Sequence, residues 1–139
     1  MPTLVQINEK DLAHSLNQVS RKITNLLNDH LKEYGIYASQ YQLLVNINRY
    51  NNSTSKELAA KLNVNPAATS RTLKSIEQQG LITRKQTSDR RAYQIAITNK
   101  GHDLLLKLSE RDTAIFQKFF APLTPNERTA LLEILTKLF

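Results

Sequence analysis

Between Asn63 and Pro66 the sequence places a helix stop and a helix start side by side, and few architectures join two helices so closely. Upstream, Thr54 with Glu57 three positions later has the form of a capping box. Leu58, Ala59 and Leu62 give that helix a buried face, and Asn63 suits the left-handed conformation that closes it. Downstream, Asn65 can accept a backbone N–H as N-cap, and Pro66 fits the first helical position because the donor it lacks would have no intrahelical partner there. The second helix is expected to run to Gly80. After Gly80 the apolar period changes. Residues 81–86 and 92–98 read as two strands, the second alternating Tyr93, Ile95 and Ile97 against smaller or polar residues, with residues 87–90 as the turn between them.

The flanks are helical. Residues 7–33 carry Leu12, Leu16, Val19, Ile23 and Leu26 at alternating steps of four and three, with Leu27 and Leu31 widening the stripe. A helix of about 26 residues reaches about 39 Å. That is more than a lone small domain needs to cover its core, so the helix is expected to pack against a partner. Ser39-Gln40-Tyr41-Gln42 has the form of another capping box, opening a helix through Leu43, Leu44 and Ile47 to Tyr50, where Asn51-Asn52 break it. Beyond the strands, residues 99–120 present Leu104, Leu105, Leu108, Ile115, Phe116 and Phe119. Thr124-Pro125-Asn126-Glu127 then starts a last helix bearing Leu131, Ile134, Leu135 and Leu138. The expected fold is a single domain over residues 1–139, mainly α with a small β-hairpin wing. Residues 53–98 form a winged helix-turn-helix embedded between terminal dimerisation helices at 7–33 and 99–139.

Charge points to what such a unit binds. The chain of 139 residues has a net charge of +7. Residues 53–100 hold nine lysines and arginines against three acidic side chains, while the segments on either side are almost neutral. A charge serving solubility has no reason to gather in one segment, whereas a phosphate-facing surface does. The N-terminal half of the second helix of such a pair can enter the major groove, and here it presents Asn65, Pro66, Ala67, Ala68, Thr69, Ser70, Arg71 and Lys74. The two alanines allow close approach, Thr69 and Ser70 can reach bases or phosphates, and Arg71 can bond O6 and N7 of guanine together. Helix-end N–H groups can also bind phosphate. Arg84, Lys85, Arg90 and Arg91 cluster around the hairpin turn with only Asp89 opposing them. Arginine at such a tip can enter the minor groove, and Asp89 could hold Arg91 in a fixed orientation.

The sequence also resembles the MarR (multiple-antibiotic-resistance regulator) family of winged-helix repressors over nearly its whole length. The resemblance is carried by Ser55-Lys56-Glu57-Leu58-Ala59, by the run from Thr69 through Gly80 to Arg84, by Asp89-Arg90-Arg91 and by Ile97-Thr98-Asn99-Lys100-Gly101. Ile97 stands where Leu is more usual, and Pro66 starts the second helix rigidly. The resemblance implies a homodimer in which the first and last two helices of each chain interlock. Two winged motifs would then meet a pseudo-palindromic double-stranded DNA operator, with half-sites about one helical turn apart, roughly 34 to 36 Å. It implies a base or backbone contact for Arg71 and a minor-groove pair at Asp89 and Arg91. With Thr54, Ser55 and Lys56 on the supporting helix, these complete the expected DNA-contacting set. It also implies a repressor released by a small anionic or phenolic effector.

The absence of cysteine removes disulfides, thiolate metal sites and sensing by thiol oxidation. His14, His30 and His102 stand without a close His or Cys partner, so no metal site and no cofactor is expected. His14, Arg21, Tyr34, Tyr37 and Tyr41 could line an effector cleft, but tyrosines at helix ends more often serve core or interface. No Gly-rich phosphate loop, nucleophile elbow or clustered metal-ligand set supports an enzyme. An unspecific architectural DNA-binding protein and a winged-helix protein-interaction module are the rival readings, since a winged fold does not by itself dictate sequence-specific DNA binding. Without a leader-like or membrane-length apolar segment, the protein is expected in the cytoplasm, associated with the nucleoid.

Overall fold

A computed structural model describes residues 6–88 and 92–139, and the chain divides into two compact units, Met1–His102 and Asp103–Phe139. The first unit opens with α1 (Glu9–Leu31), whose N-cap Asn8 accepts from the Lys10 amide at 2.9 Å. Its first turn carries Glu9 and Asp11, a placement that suits the helix dipole. Its buried residues, Leu27 and Leu31, lie near the C-terminal end. Leu12, Leu16 and Val19 are 52%, 37% and 44% exposed.

A 3-10 turn at Lys32–Tyr34 and Gly35, at φ 70°, lead into α2 (Ala38–Arg49). This helix starts two residues before the position that a Ser39-led cap requires. Tyr37 is the N-cap residue, and its amide donates to Oε1 of Gln40 at 2.8 Å. The Ala38 amide donates to Oδ1 of Asn28 at 2.6 Å. The helix start is thus fixed partly by a side chain of α1, which no local motif can announce.

A two-residue strand β1 (Ser53–Thr54) precedes α3 (Ser55–Leu62) and α4 (Pro66–Gln78). The caps follow the sequence expectation. Thr54 Oγ1 accepts from the Glu57 amide at 3.2 Å, Asn63 closes α3 at φ 53°, and Asn65 Oδ1 accepts from the Ala67 amide at 2.8 Å. Strands β2 (Ile82–Gln86) and β3 (Tyr93–Ile97) pair antiparallel, with Arg84 opposite Ile95. On its other edge β3 takes β1, Ser53 opposite Ile95, giving a three-stranded sheet in the order β1-β3-β2.

The core of this unit joins Leu43, Leu44 and Ile47 of α2, Leu58 of α3, Leu73 and Ile76 of α4, and Ile82 and Ile95 of the sheet. It lies behind α4 and makes that helix a fixed part of the unit. The C-terminus of α4 is also pinned. Gly80 takes φ 76°, a conformation that costs a residue with a Cβ about 1 to 2 kcal/mol. Its carbonyl accepts from Thr98 Oγ1 at 2.7 Å, while Nζ of Lys100 donates to the Gln79 carbonyl at 2.8 Å. Thr98 Oγ1 in turn accepts from the Gly101 amide at 3.1 Å, capping the start of α5 (Asn99–Phe119).

In the second unit the remainder of α5 is followed by α6 (Pro125–Thr136). A full capping box starts α6, with Glu127 N donating to Thr124 Oγ1 at 3.2 Å and Thr124 N to Glu127 Oε1 at 2.9 Å. These bonds hold the Glu127 carboxyl below its ordinary pKa, the backbone bond being the larger cause. Arg128 Nε donates to the Phe120 carbonyl at 3.2 Å and stiffens the turn. No residue of α6 is buried, and Leu131, Leu132, Ile134 and Leu138 are all exposed.

Candidate nucleic-acid interface

Helical spacing sorts α4 into two faces. Thr69, Leu73 and Ile76 are buried, while Ala67, Ser70, Arg71 and Lys74 lie exposed at steps of three, one and three, a continuous stripe on the outer surface. Asn65 and Pro66 are exposed at the head of that stripe and Ala68 is half-buried beside it. Thr69 does not share it. Its side chain is 3% exposed, and its hydroxyl donates to the Asn65 carbonyl at 3.1 Å. Its position in the run of small polar residues gives no warning, because Ser and Thr serve inner and outer faces equally well.

At Ser70 the stripe adjoins an open cleft of about 710 Å³, which Thr54, Ser55, Lys56, Pro66, Ser70 and Arg84 all line. The first turn of α3, the first turn of α4 and the first strand of the hairpin are thereby brought together. Two of the lining side chains are cations. Tyr93 of β3, 45% exposed, also lines the cleft, although its alternation with Ile95 and Ile97 marks it only as a strand residue and gives no sign of a place in the site. Lys85 is exposed on β2. Asp89, Arg90 and Arg91 lie outside the described residues.

Arg84 has a partner that the sequence does not reveal. Its Nε stands 2.9 Å from Glu77 Oε2 of α4, with the two side chains 30% and 39% exposed. The pair closes a seven-residue separation across the Gly80 turn, so no rule of helical spacing would find it. Exposed pairs of this kind contribute at most about 1 kcal/mol, and a phosphate oxygen can compete for such a guanidinium.

Of the side chains considered for an effector cleft, Tyr41 is half-buried on α2. His14 and Arg21 are exposed on α1, Tyr37 is exposed at the start of α2, and Tyr34 meets His30 edge to face with ring centroids 6.2 Å apart. Among the described residues, no group of three or more His, Cys, Asp or Glu side chains is placed to hold a metal ion. No described helix is long and apolar enough to cross a membrane.

This arrangement can offer hydrogen-bond donors and cations to an extended polyanion. Comparison with known proteins agrees. The model of the MarR family matches residues 36–93, which include all of α2, α3, α4 and β2. The chain is similar to the HTH-type transcriptional regulator YwoH of Bacillus subtilis, 32% identical over 92 residues, spanning 66% of this chain and 67% of that one. An HTH-type transcriptional regulator of Bacillus cereus is 31% identical over 123 residues, 88% of this chain and 82% of the relative. Among solved structures, a mutant MarR from E. coli complexed with operator DNA superposes with a TM-score of 0.85 at 26% identity, covering 93% and 94% of the two chains.

Proposed function

This chain belongs to the MarR family of transcriptional regulators, and from that premise we propose that it reads a pseudo-palindromic operator as a homodimer through the outer face of α4. Its family and fold are those of DNA-binding regulators and not of enzymes. One observation carries the reading: Ser70, Arg71 and Lys74 form an exposed stripe continuous with a cleft that also gathers Lys56 and Arg84. Ala67 keeps the leading edge of the stripe low enough for the helix to seat in a groove. Ser70 and Arg71 take the base edges, Lys74, Lys56, Lys85 and the α4 N-terminus take phosphates, and Arg91 with Asp89 serves the minor groove. Residues 53–98 are the DNA-reading region. This placement favours a sequence reader over an unspecific architectural protein, because hydrogen-bonding side chains, not cations alone, occupy the stripe.

The homodimer is supported by apolar surface that one chain leaves uncovered. Leu12, Leu16 and Val19 follow one another along a single face of α1, α6 shows Leu131, Leu132 and Ile134, and Leu138 is exposed just beyond it. Burying such residues is worth about 1.5 to 3 kcal/mol each, and a second copy of the same helices supplies a self-complementary surface. Residues 7–33 and 99–139 are the dimerisation segments. Family membership supports repression relieved by a small-molecule effector, in a regulator working in the cytoplasm on the nucleoid.

Selection of binding sequences from a random duplex pool tests the reading. The enriched sequences are expected to share two inverted half-sites one helical turn apart. A pool that stays random after repeated rounds would contradict sequence reading, and a single unpaired half-site would contradict the dimer.

A further inference from the structure

Apolar packing of Leu73 and Ile76 holds α4 against the core, but such contacts are non-directional and oppose a small roll of the helix about its own axis only weakly. One buried polar contact adds a directional constraint. Gln40, 7% exposed, donates from Nε2 to Ser75 Oγ at 2.6 Å. The same side chain accepts the Tyr37 amide through Oε1 at 2.8 Å. The planar amide is thus gripped at one end by the first turn of α2 and at the other by α4. The next amide of that turn, Ala38, is held by Asn28 of α1 at 2.6 Å. Three elements meet through directional bonds at residues 37–40.

We propose that Gln40 is a positioning residue for base reading, fixing the roll of α4 through Ser75 and referring it to α1 through the Tyr37–Ala38 turn. The geometry sets how tightly. Side-chain atoms lie about 5 Å from a helix axis, so a roll of about 10° moves Ser75 Oγ by roughly 0.9 Å, enough to stretch this bond to its limit. Arg71 stands one turn before Ser75 and swings with it. A bidentate contact to a guanine tolerates only a few tenths of an ångström, so loss of the Gln40–Ser75 bond degrades base reading while leaving diffuse attraction to phosphate intact.

This inference rests on the operator-reading function proposed above, and the test separates the two. Wild type, Ser75→Ala, Gln40→Met, the double variant and Gln40→Glu are titrated on a duplex carrying the sequence that wild type enriches from a random pool, and on a shuffled duplex of equal composition. Each protein's thermal midpoint is recorded. Ser75→Ala and Gln40→Met are expected to lower the affinity ratio between the two duplexes about tenfold, with shuffled-duplex binding changed by less than about twofold. The double variant removes the Ser75 hydroxyl that Gln40→Met leaves unpaired, although the Tyr37 amide still lacks its acceptor, so it should be no less stable than Gln40→Met, yet keep the low ratio. Gln40→Glu can accept from both the Tyr37 amide and the Ser75 hydroxyl, and should hold the ratio close to wild type. A ratio unchanged in either single variant, or recovering in the double variant, would overturn the proposal and leave Gln40 as a structural residue. Wild type binding both duplexes equally would instead defeat the operator-reading function itself, and this inference with it.

Discussion

Replacing Gly101 with alanine sets two well-calibrated effects against each other. Gly101 is the third residue of α5, where intrinsic helix propensity favours alanine by about 1 kcal/mol. The residue is buried, however, and a Cβ there would overlap the Leu81 carbonyl oxygen and stand 2.8 Å from Cγ1 of Ile97. That carbonyl is backbone and already accepts from the Thr98 amide at 3.0 Å, so it cannot retreat without breaking the junction that pins the end of α4 to the start of α5. Overpacking of this kind costs about 1 to 3 kcal/mol. Weakening one buried backbone hydrogen bond adds about 0.5 to 1.5 kcal/mol. Net of propensity, Gly101→Ala should destabilise by about 2 kcal/mol, which at about 3 °C per kcal/mol lowers the melting temperature by roughly 6 °C. Differential scanning calorimetry at fixed protein concentration measures it. Gly35→Ala is the control: that glycine has φ 70° with no atom within 4 Å of an added Cβ, so only backbone strain of about 1 to 2 kcal/mol acts. A melting temperature for Gly101→Ala equal to or above wild type, the sign expected from propensity alone, would refute the steric argument.

Arg71→Ala should weaken operator binding by about 1 to 3 kcal/mol and relax preference at one base position, as read by competition against single-substituted duplexes; equal loss on every duplex would make Arg71 a phosphate contact. Glu77→Gln releases Arg84 from its carboxylate partner, so affinity for any duplex should rise a few-fold and the salt slope should steepen by about one phosphate contact, whereas weaker binding would mean that the pair holds Arg84 in its bound position. The Glu127 carboxyl has its pKa lowered in the folded state, so its stabilising effect is present above the unfolded carboxylate pKa and fades as pH falls through the folded one. The melting-temperature gap between wild type and Glu127→Gln should therefore close as the solution is acidified; a gap independent of pH would show that the charge of the capping box is irrelevant.

Local chemistry is the legible part of this chain. Thr54, Asn63, Asn65 and Thr124 act as helix ends where the residues around them say they should, because caps are settled within three or four positions. The two longer strands are visible through the change of period after Gly80. What escapes is settled by distant groups. The start of α2 falls at Tyr37 instead of a Ser39-led box, because Asn28 of another helix and Gln40 supply the capping oxygens. Strand β1 has two residues, too few to show a period, and exists because β3 has an open edge to offer. Within the candidate site, the stripe from Ala67 to Lys74 follows from helical spacing, but the inward turn of Thr69, the ion pair between Glu77 and Arg84 and the bond from Gln40 to Ser75 do not. Each depends on which side of α4 meets the core, a property of the packed unit and not of the segment.

The central claim is that the outer face of α4 and the adjoining hairpin bind duplex DNA by sequence. Fluorescence anisotropy titrations of the enriched duplex and its shuffled counterpart, repeated across a range of salt concentrations, test it most directly. The account predicts a gap of about a thousandfold or more between the two duplexes at moderate salt, with both affinities falling as salt rises. Equal affinities throughout, or no binding to either duplex at low ionic strength, would contradict it.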